Sequence, residues 1–371
     1  MSESRAAGAH ILSVSIVAGP SAGALLQKID VSKERRRLIL PAGALSPEEH
    51  RALEQISAIA EQGKFDHLVV GCDAATPLMA YTSLFLSPPI TDIARLATTV
   101  LAVRPSDFLD LLIRRVGNAE LGSPCFLAEQ LELVDSVVLD GEKDDPDFKF
   151  ARAIAITLNP RAQVSDLSLE TGDRLLDDAE SALFDFGAAL DGAGWRQLID
   201  AGKVPPSTDN DIASFAYRAR RPFHPERFWK LLQGGLPALF RAKGFFWLAT
   251  RMDLVGGLNL AGPELHCAAA GQWWAARDEE TRQHEMPERT RKEWKEPFGD
   301  RRQAIAFMGL AFKPDALKAE LDACLLTDSE MSAGPEGWTT LGDPFPSWPI
   351  HPRAHDCEHD HESGDHDCCH H

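Results

Sequence analysis

The chain has 371 residues, 44% hydrophobic and 25% charged, enough for two or three domains with real cores and far from the composition of a disordered or collagen-like polymer. Its formal charge of −18 argues against nucleic acid as a partner, because phosphate neutralisation needs basic surface. No apolar run approaches the ~18 residues that cross a bilayer, and Met1-Ser2-Glu3-Ser4-Arg5 opens no secretory pattern, so a cytoplasmic protein without a membrane partner is expected.

Ile11 to Ala18, Leu38 to Leu40, His67 to Gly71, Leu96 to Val103 and Val134 to Leu139 read as strands. Their apolar residues are nearly continuous rather than alternating, the pattern of strands covered on both faces. Helical signals lie between them. Ser46-Pro47-Glu48-Glu49 predicts a helix capped by Ser46, followed by Leu53, Ile56 and Ala60 at helical spacing. Pro105-Ser106-Asp107 starts another helix, and Asp147 to Leu158 reads as a third. Strand–helix alternation of this kind predicts an α/β domain with a parallel sheet over residues 1–172.

Residues 173–211 turn to Asp, Ala, Gly and Pro and read as helical turns and a linker ending in Pro205 to Asp211. A second, α+β domain is expected over 212–332. All eight tryptophans lie at or after Trp195, so aromatic burial belongs to this half. Ile212 to Arg220 predicts a strand with Phe215, Tyr217 and Ala219 on one face. Pro225 to Gln233 reads as a helix, Gly244 to Arg251 and Arg302 to Leu310 as strands, and Pro314 to Leu326 as a helix with Leu317, Leu321 and Leu325 on one side. Residues 277–302 carry mixed charge and read as solvated surface, Arg218, Arg220, Arg221, His224 and Arg227 as a solvated strand edge, Asp300-Arg301-Arg302 as an internal ion pair, and Trp273-Trp274 as core plus rim. Residues 333–371 carry little core material and are expected to form a flexible tail.

A nucleotide-binding α/β domain needs a glycine loop after its first strand. The residues in that place are Val17-Ala18-Gly19-Pro20-Ser21-Ala22-Gly23-Ala24-Leu25-Leu26. A phosphate loop of form G-x-x-x-x-G-K-[S/T] uses backbone amides, a Lys and a Mg²⁺-binding hydroxyl. Gly19 and Gly23 are one residue too close, no Lys or Ser/Thr follows Gly23, and the nearest lysine is Lys28. The pair reads as a plain strand-to-helix turn, or at most a residual nucleotide contact.

Cys72, Cys125, Cys267 and Cys324 are isolated and read as small buried hydrophobes. The tail differs. His351, His355, Cys357, His359, His361, His366, Cys368, Cys369, His370 and His371 fall within 21 residues, interleaved with Asp356, Asp360, Asp365 and Asp367. Imidazole and thiolate suit Zn²⁺ and other divalent transition metals. A floppy tail offers several overlapping ligand sets, hence exchangeable binding. The bland alternative is an expression tag, from which the mixed His, Asp, Cys and Glu order departs.

The second half resembles the CobW-type family of P-loop GTPases associated with metal insertion and zinc homeostasis. The resemblance runs through Phe215-Ala216-Tyr217-Arg218-Ala219-Arg220-Arg221-Pro222-Phe223, Arg241 to Arg251, Gly271-Gln272-Trp273-Trp274-Ala275, Gly299-Asp300-Arg301-Arg302-Gln303 and Leu321 to Thr327, covering roughly residues 175–348. It implies a P-loop-NTPase-like α/β domain followed by a smaller α+β CobW C-terminal domain, and fits the tail, since family members often end in His-rich stretches. The first half follows the family's GTPase domain in outline and departs from its motifs. The E-x-x-G-x-x-x-P stretch reads Gly71-Cys72-Asp73-Ala74-Ala75-Thr76-Pro77, the C-x-C-C metal motif is replaced by Leu40 to Leu45, and Asp140-Gly141-Glu142-Lys143-Asp144 stands where N-K-x-D should follow the fifth strand.

Phosphoryl transfer depends on positioned charge, so these departures together imply a pseudo-GTPase in which bound GTP and Mg²⁺ are not expected. The resulting expectation is a metal-trafficking accessory protein for zinc or a similar metal, without a catalytic residue. It would bind metal through His355, Cys357, His359, His361, His366, Cys368, Cys369, His370 and His371 and dock on a metalloprotein client or an intact CobW-type paralogue. A divergent GTP-binding enzyme and a pure interaction module partnering a paralogue remain as alternatives.

Overall fold

The computed structural model describes residues 11–29, 31, 36–72, 77–117, 122–167, 174, 176, 183–201, 212–236 and 238–348. Two sheets organise them. The first is built from β1 (Leu12–Ala18), β2 (Arg37–Leu40), β3 (His67–Gly71), β4 (Ala94–Val103), β5 (Ser136–Leu139) and β6 (Gln163–Asp166), in the order β2-β3-β1-β4-β5-β6. Every pairing in it is parallel. The second is antiparallel: β7 (Ile212–Ala219), β8 (Leu239–Phe246), β9 (Leu254–Ala261), β10 (Glu264–Gln272) and β11 (Gln303–Leu310), in the order β10-β9-β8-β11-β7.

The near-continuous apolar runs of the first sheet have the expected cause. Val14, Ile16, Leu68, Val70, Leu101, Val137 and Leu139 enter one core, while Val17, Val69, Val100, Ala102 and Val138 enter another on the opposite face. Both faces are covered, so alternation between polar and apolar residues is lost.

The helices that matter below are α1 (Ala22–Leu26), α2 (Glu49–Ala60), α3 (Pro124–Leu133), α4 (Pro146–Leu158), α5 (Gly194–Ala201), α6 (Pro225–Gln233) and α7 (Pro314–Cys324). In α2, Ala52 and Ile56 are buried and Leu53 and Ala60 flank them. The cap is a correction: the helix starts at Glu49, and the Ser46 hydroxyl instead accepts the Glu48 amide at 3.1 Å in the preceding turn.

Phe215, Tyr217 and Ala219 share the expected face of β7 and pack with Phe223, Phe228, Phe246 and Phe307 beneath α6 and α7. Two expectations are corrected: the strand placed at Gly244 to Arg251 is β8 and ends at Phe246, and α7 stops at Cys324. The strands β6, β9 and β10 stand where the local sequence pattern marks none. Residues after 332 also carry core: Trp338, Phe345 and Trp348 are buried, with Phe345 and Trp348 in the aromatic cluster. The Pro205–Asp211 linker lies outside the described residues.

The other face of the second sheet is covered over β7, β8 and β11, while the His266, Ala268 and Ala270 positions of β10 stay exposed. Phe240, Ala261, Ala304, Ala306 and Met308 belong to the same core as the first sheet, and α5 lies on β7, β8 and β11. The small residues of β11 admit this close packing. At the β9–β10 turn Gly262 has φ +52°, and a Cβ there would stand 2.4 Å from the Leu111 carbonyl oxygen of the first domain. Only glycine meets both demands.

Among the described residues no helix is long and apolar enough to cross a membrane.

Candidate functional site

The loop after β1 is a tight turn closed onto its neighbour strand. Gly19 has φ +99°, and a Cβ there would lie 2.4 Å from the Ala102 carbonyl oxygen of β4. The Ser21 amide, a group that would face phosphate in a working loop, donates to that same oxygen at 3.0 Å. Gly23 faces open space. The five-residue α1 then sends Ala22 and Leu25 into an apolar layer with Val17, Val69, Val100, Ala102 and Val138. Lys28 does not return to the loop; its ammonium donates to the Leu167 carbonyl at 3.3 Å. After β5, Lys143 pairs with Asp166 at the end of β6, 3.0 Å away.

The nine tail ligands, from His355 to His371, lie outside the described residues, as do Asp73 to Thr76 of the degenerate acidic stretch.

Two sequence groups resolve into structural contacts. Trp273 is buried and Trp274 half-buried, as core plus rim. Asp300 does not form the expected ion pair chiefly with its neighbours: its carboxylate accepts the amides of Trp274 at 3.0 Å and Ala275 at 2.9 Å. The arginines of the β7 edge are partnered rather than simply solvated. Arg220 meets Glu293 at 2.7 Å, Arg221 meets Asp328 at 2.6 Å and Arg227 meets Glu330 at 2.7 Å. A cleft of about 600 Å³ at Arg220 is also lined by Arg196, Arg218 and Arg302. Burial lowers the pKa of Arg302, Glu293 opposes that, and the neighbouring Arg220 and Arg218 add to it.

The described residues bring one set of metal-ligating side chains together, at the seam between the two domains. Cys125, Glu264 and His266 place a sulfur, a carboxylate oxygen and a ring nitrogen within 4.8 Å of one another. Cys125 stands in the first turn of α3; Glu264 and His266 stand two apart on β10 and therefore share a face. Ser123 caps α3, and Pro124 takes the first helical position. Glu264 reaches across from the second domain to this helix start, accepting the Cys125 amide at 3.0 Å and the Ser123 hydroxyl. His266 meets its other oxygen at 2.6 Å. Burial would raise the Glu264 pKa, but these donors hold it below the usual carboxylate range. Burial pushes the Cys125 thiol up to about 12, outweighing the preference of a helix start for thiolate.

The reading of Cys125 as a small buried residue holds for its exposure and misses its neighbours. Glu264-Leu265-His266 carried the usable signal, two ligand types at the spacing that places them on one strand face. That spacing places the two on one face only in a strand, and the Ala and Gly of β10 carry little strand signal.

Below this cluster, Arg241 and Lys243 of β8 bind Glu132 of α3, and Asn259 of β9 links Arg241 to Glu129. A cleft of about 280 Å³ opens beside them, lined by Leu78, Phe126, Glu129, Leu190, Trp195 and Lys243.

The model of the cobalamin synthesis protein cobW C-terminal domain matches residues 212–325, the span of the antiparallel sheet with α6 and α7. Residues 212–325 therefore form a CobW C-terminal domain. It follows a P-loop-NTPase-like parallel-sheet domain. The chain is 28% identical over 320 residues to "Zinc-regulated GTPase metalloprotein activator 1" of Dictyostelium discoideum, covering 79% of this chain and 66% of that protein. It is 33% identical over 268 residues to "Zinc chaperone Rv0106" of Mycobacterium tuberculosis, covering 68% of this chain and 62% of that protein. The chain thus spans just under two thirds of the length of these relatives. A Zn(II)-bound YjiA GTPase from E. coli aligns over 85% of this chain and 99% of its own, with 13% identity and a TM-score of 0.36.

Proposed function

We propose that this chain is a CobW-like metal-trafficking accessory protein, handling zinc, that has lost GTP hydrolysis and binds metal through its Cys/His-rich C-terminal tail. The relatives' names, a zinc chaperone and a zinc-regulated metalloprotein activator, support zinc as the cargo. The observation that carries the loss of hydrolysis is the Ser21 amide, committed to the Ala102 carbonyl rather than free to cradle a phosphate. Lys28 bonded away from the loop, and the apolar layer under α1, support the same reading. Without a lysine or a Mg²⁺-binding hydroxyl, the loop has nothing to neutralise charge developing on a transferred phosphoryl group.

The domain limits follow the sequence reading, 1–172, 173–211 and 212–332, with residues 333–348 added to the core of the C-terminal domain. On this reading the partners are metal ions and a metalloprotein client or an intact CobW-type paralogue, met in the cytoplasm.

Two measurements test it. Purified chain with Mg²⁺ and GTP should turn over no faster than buffer; a rate comparable to an intact family member would favour the divergent enzyme instead. Zn²⁺ titrated into the full chain should occupy tail sites that a variant lacking Cys357, Cys368 and Cys369 binds more weakly. Equal binding by the two would remove the tail from the account.

A further inference from the structure

We propose that Cys125, Glu264 and His266 form a second metal site, separate from the tail, that holds Zn²⁺ across the seam between the two domains. The donor set is one thiolate, one carboxylate and one imidazole, a combination that suits Zn²⁺ and disfavours Mg²⁺ or Ca²⁺. Thiolate and carboxylate together carry two negative charges, which match a divalent cation at a site buried at Cys125 and open at His266.

The three donor atoms lie within 4.8 Å of one another. A tetrahedral ion with bonds of about 2.1 Å to N and O holds those atoms roughly 3.4 Å apart. Glu264 and His266 stand at 2.6 Å, so His266 must swing back by less than the width of an atom. Its side chain is 58% exposed, which leaves that movement free and gives the ion a route from solvent. Cys125 is fixed by contrast, buried in α3, and its sulfur makes long contacts, 3.7 Å to the Asn259 carbonyl and 3.8 Å to that of Glu264. Binding transfers the thiol proton to solvent as the metal–sulfur bond forms, and the resulting thiolate sits in the first turn of a ten-residue helix, where the dipole favours an anion.

Three protein ligands leave a fourth position for water or for a donor from another protein. Because Cys125 belongs to the first domain and the other two ligands to β10, occupancy ties the domains together at this seam.

Co²⁺ is the probe, since a cobalt–thiolate bond gives a near-ultraviolet charge-transfer band. The protein is the full chain with Cys357, Cys368 and Cys369 replaced by serine, so that tail thiolates contribute nothing. That variant should show the band, and Zn²⁺ should displace it. Adding Cys125→Ser should abolish the band. His266→Ala, at an exposed position that leaves folding intact, should keep a native circular dichroism spectrum and weaken Co²⁺ binding by about 100-fold, at least the effect seen for groups that merely support ligands. No band in the tail-cysteine variant, a band that survives Cys125→Ser, or unchanged affinity in His266→Ala would each overturn the site. None of these outcomes bears on hydrolysis, which is read with GTP, or on the tail, which is read from the difference in Zn²⁺ binding between the unsubstituted chain and the tail-cysteine variant.

Discussion

Arg241 of β8 donates its Nε to Oε1 of Glu132 in α3 at 2.6 Å, and the two side chains are 0% and 5% exposed. This ion pair crosses from one domain to the other in a place water does not reach. Burial would raise the Glu132 pKa, but Arg241 and Lys243 together hold it below the ordinary carboxylate value. Replacing Glu132 by leucine leaves a buried guanidinium with its main partner gone, which costs about 3–5 kcal/mol. Denaturant unfolding should show that loss. A double variant, Glu132→Leu with Arg241→Met, should recover most of it, because the uncompensated charge is then gone as well.

The aromatic residues after 332 are expected to be structural. Phe345 packs on Phe228, Trp229, Phe246 and Trp348 and is buried. Phe345→Ala should therefore cost about 3–5 kcal/mol in the full chain. A fragment of residues 207–332 lacks these rings and the cover supplied by α5, and should fail to melt cooperatively. A sharp melt of that fragment would show that the second sheet needs neither.

Gly19 and Gly23 should respond differently to alanine, for reasons unconnected with nucleotide. At Gly19 the backbone has φ +99° and a Cβ meets the Ala102 oxygen, so Gly19→Ala should destabilise the chain by more than about 1 kcal/mol. At Gly23 nothing lies within 4 Å of the added methyl, and in α1 alanine is favoured. Gly23→Ala should leave the melting temperature unchanged or slightly raised.

Acid should loosen the C-terminal domain through Glu330. Its hydrogen bonds from Arg227 lead the causes that depress its pKa to about 2. A depressed carboxylate contributes stability that is fully present above its unfolded pKa of about 4.3. That contribution is lost as pH falls from there through about 2. The side chain is 27% exposed, so solvent screening keeps the effect near 1 kcal/mol or below. Glu330→Gln should be less stable than the parent at pH 7, and the two stability curves should converge toward pH 2.

Sequence alone determined five of the six strands of the parallel sheet, because burial on both faces leaves short runs of Val, Ile and Leu between helical patterns, whereas β6 is partly exposed and carries no such run. It also determined the face of β7 that holds Phe215, Tyr217 and Ala219, the helices α6 and α7, the CobW-type C-terminal half, and the missing lysine after Gly23, all of which are local patterns. Tertiary structure alone decided where the two domains meet. The β9 and β10 strands are rich in Gly and Ala, and such small residues carry little strand signal until a neighbouring surface gives them something to fit against. Trp338, Phe345 and Trp348 stand among Gly and Pro in a stretch without periodicity, and their burial is set by a core formed from residues about a hundred positions earlier. The Cys125, Glu264 and His266 cluster needed both: a spacing of two on a strand, and a partner 139 residues away in sequence brought to it by the seam between domains. A contact of that separation leaves no trace in either segment, because neither half contains the other's reason for being there.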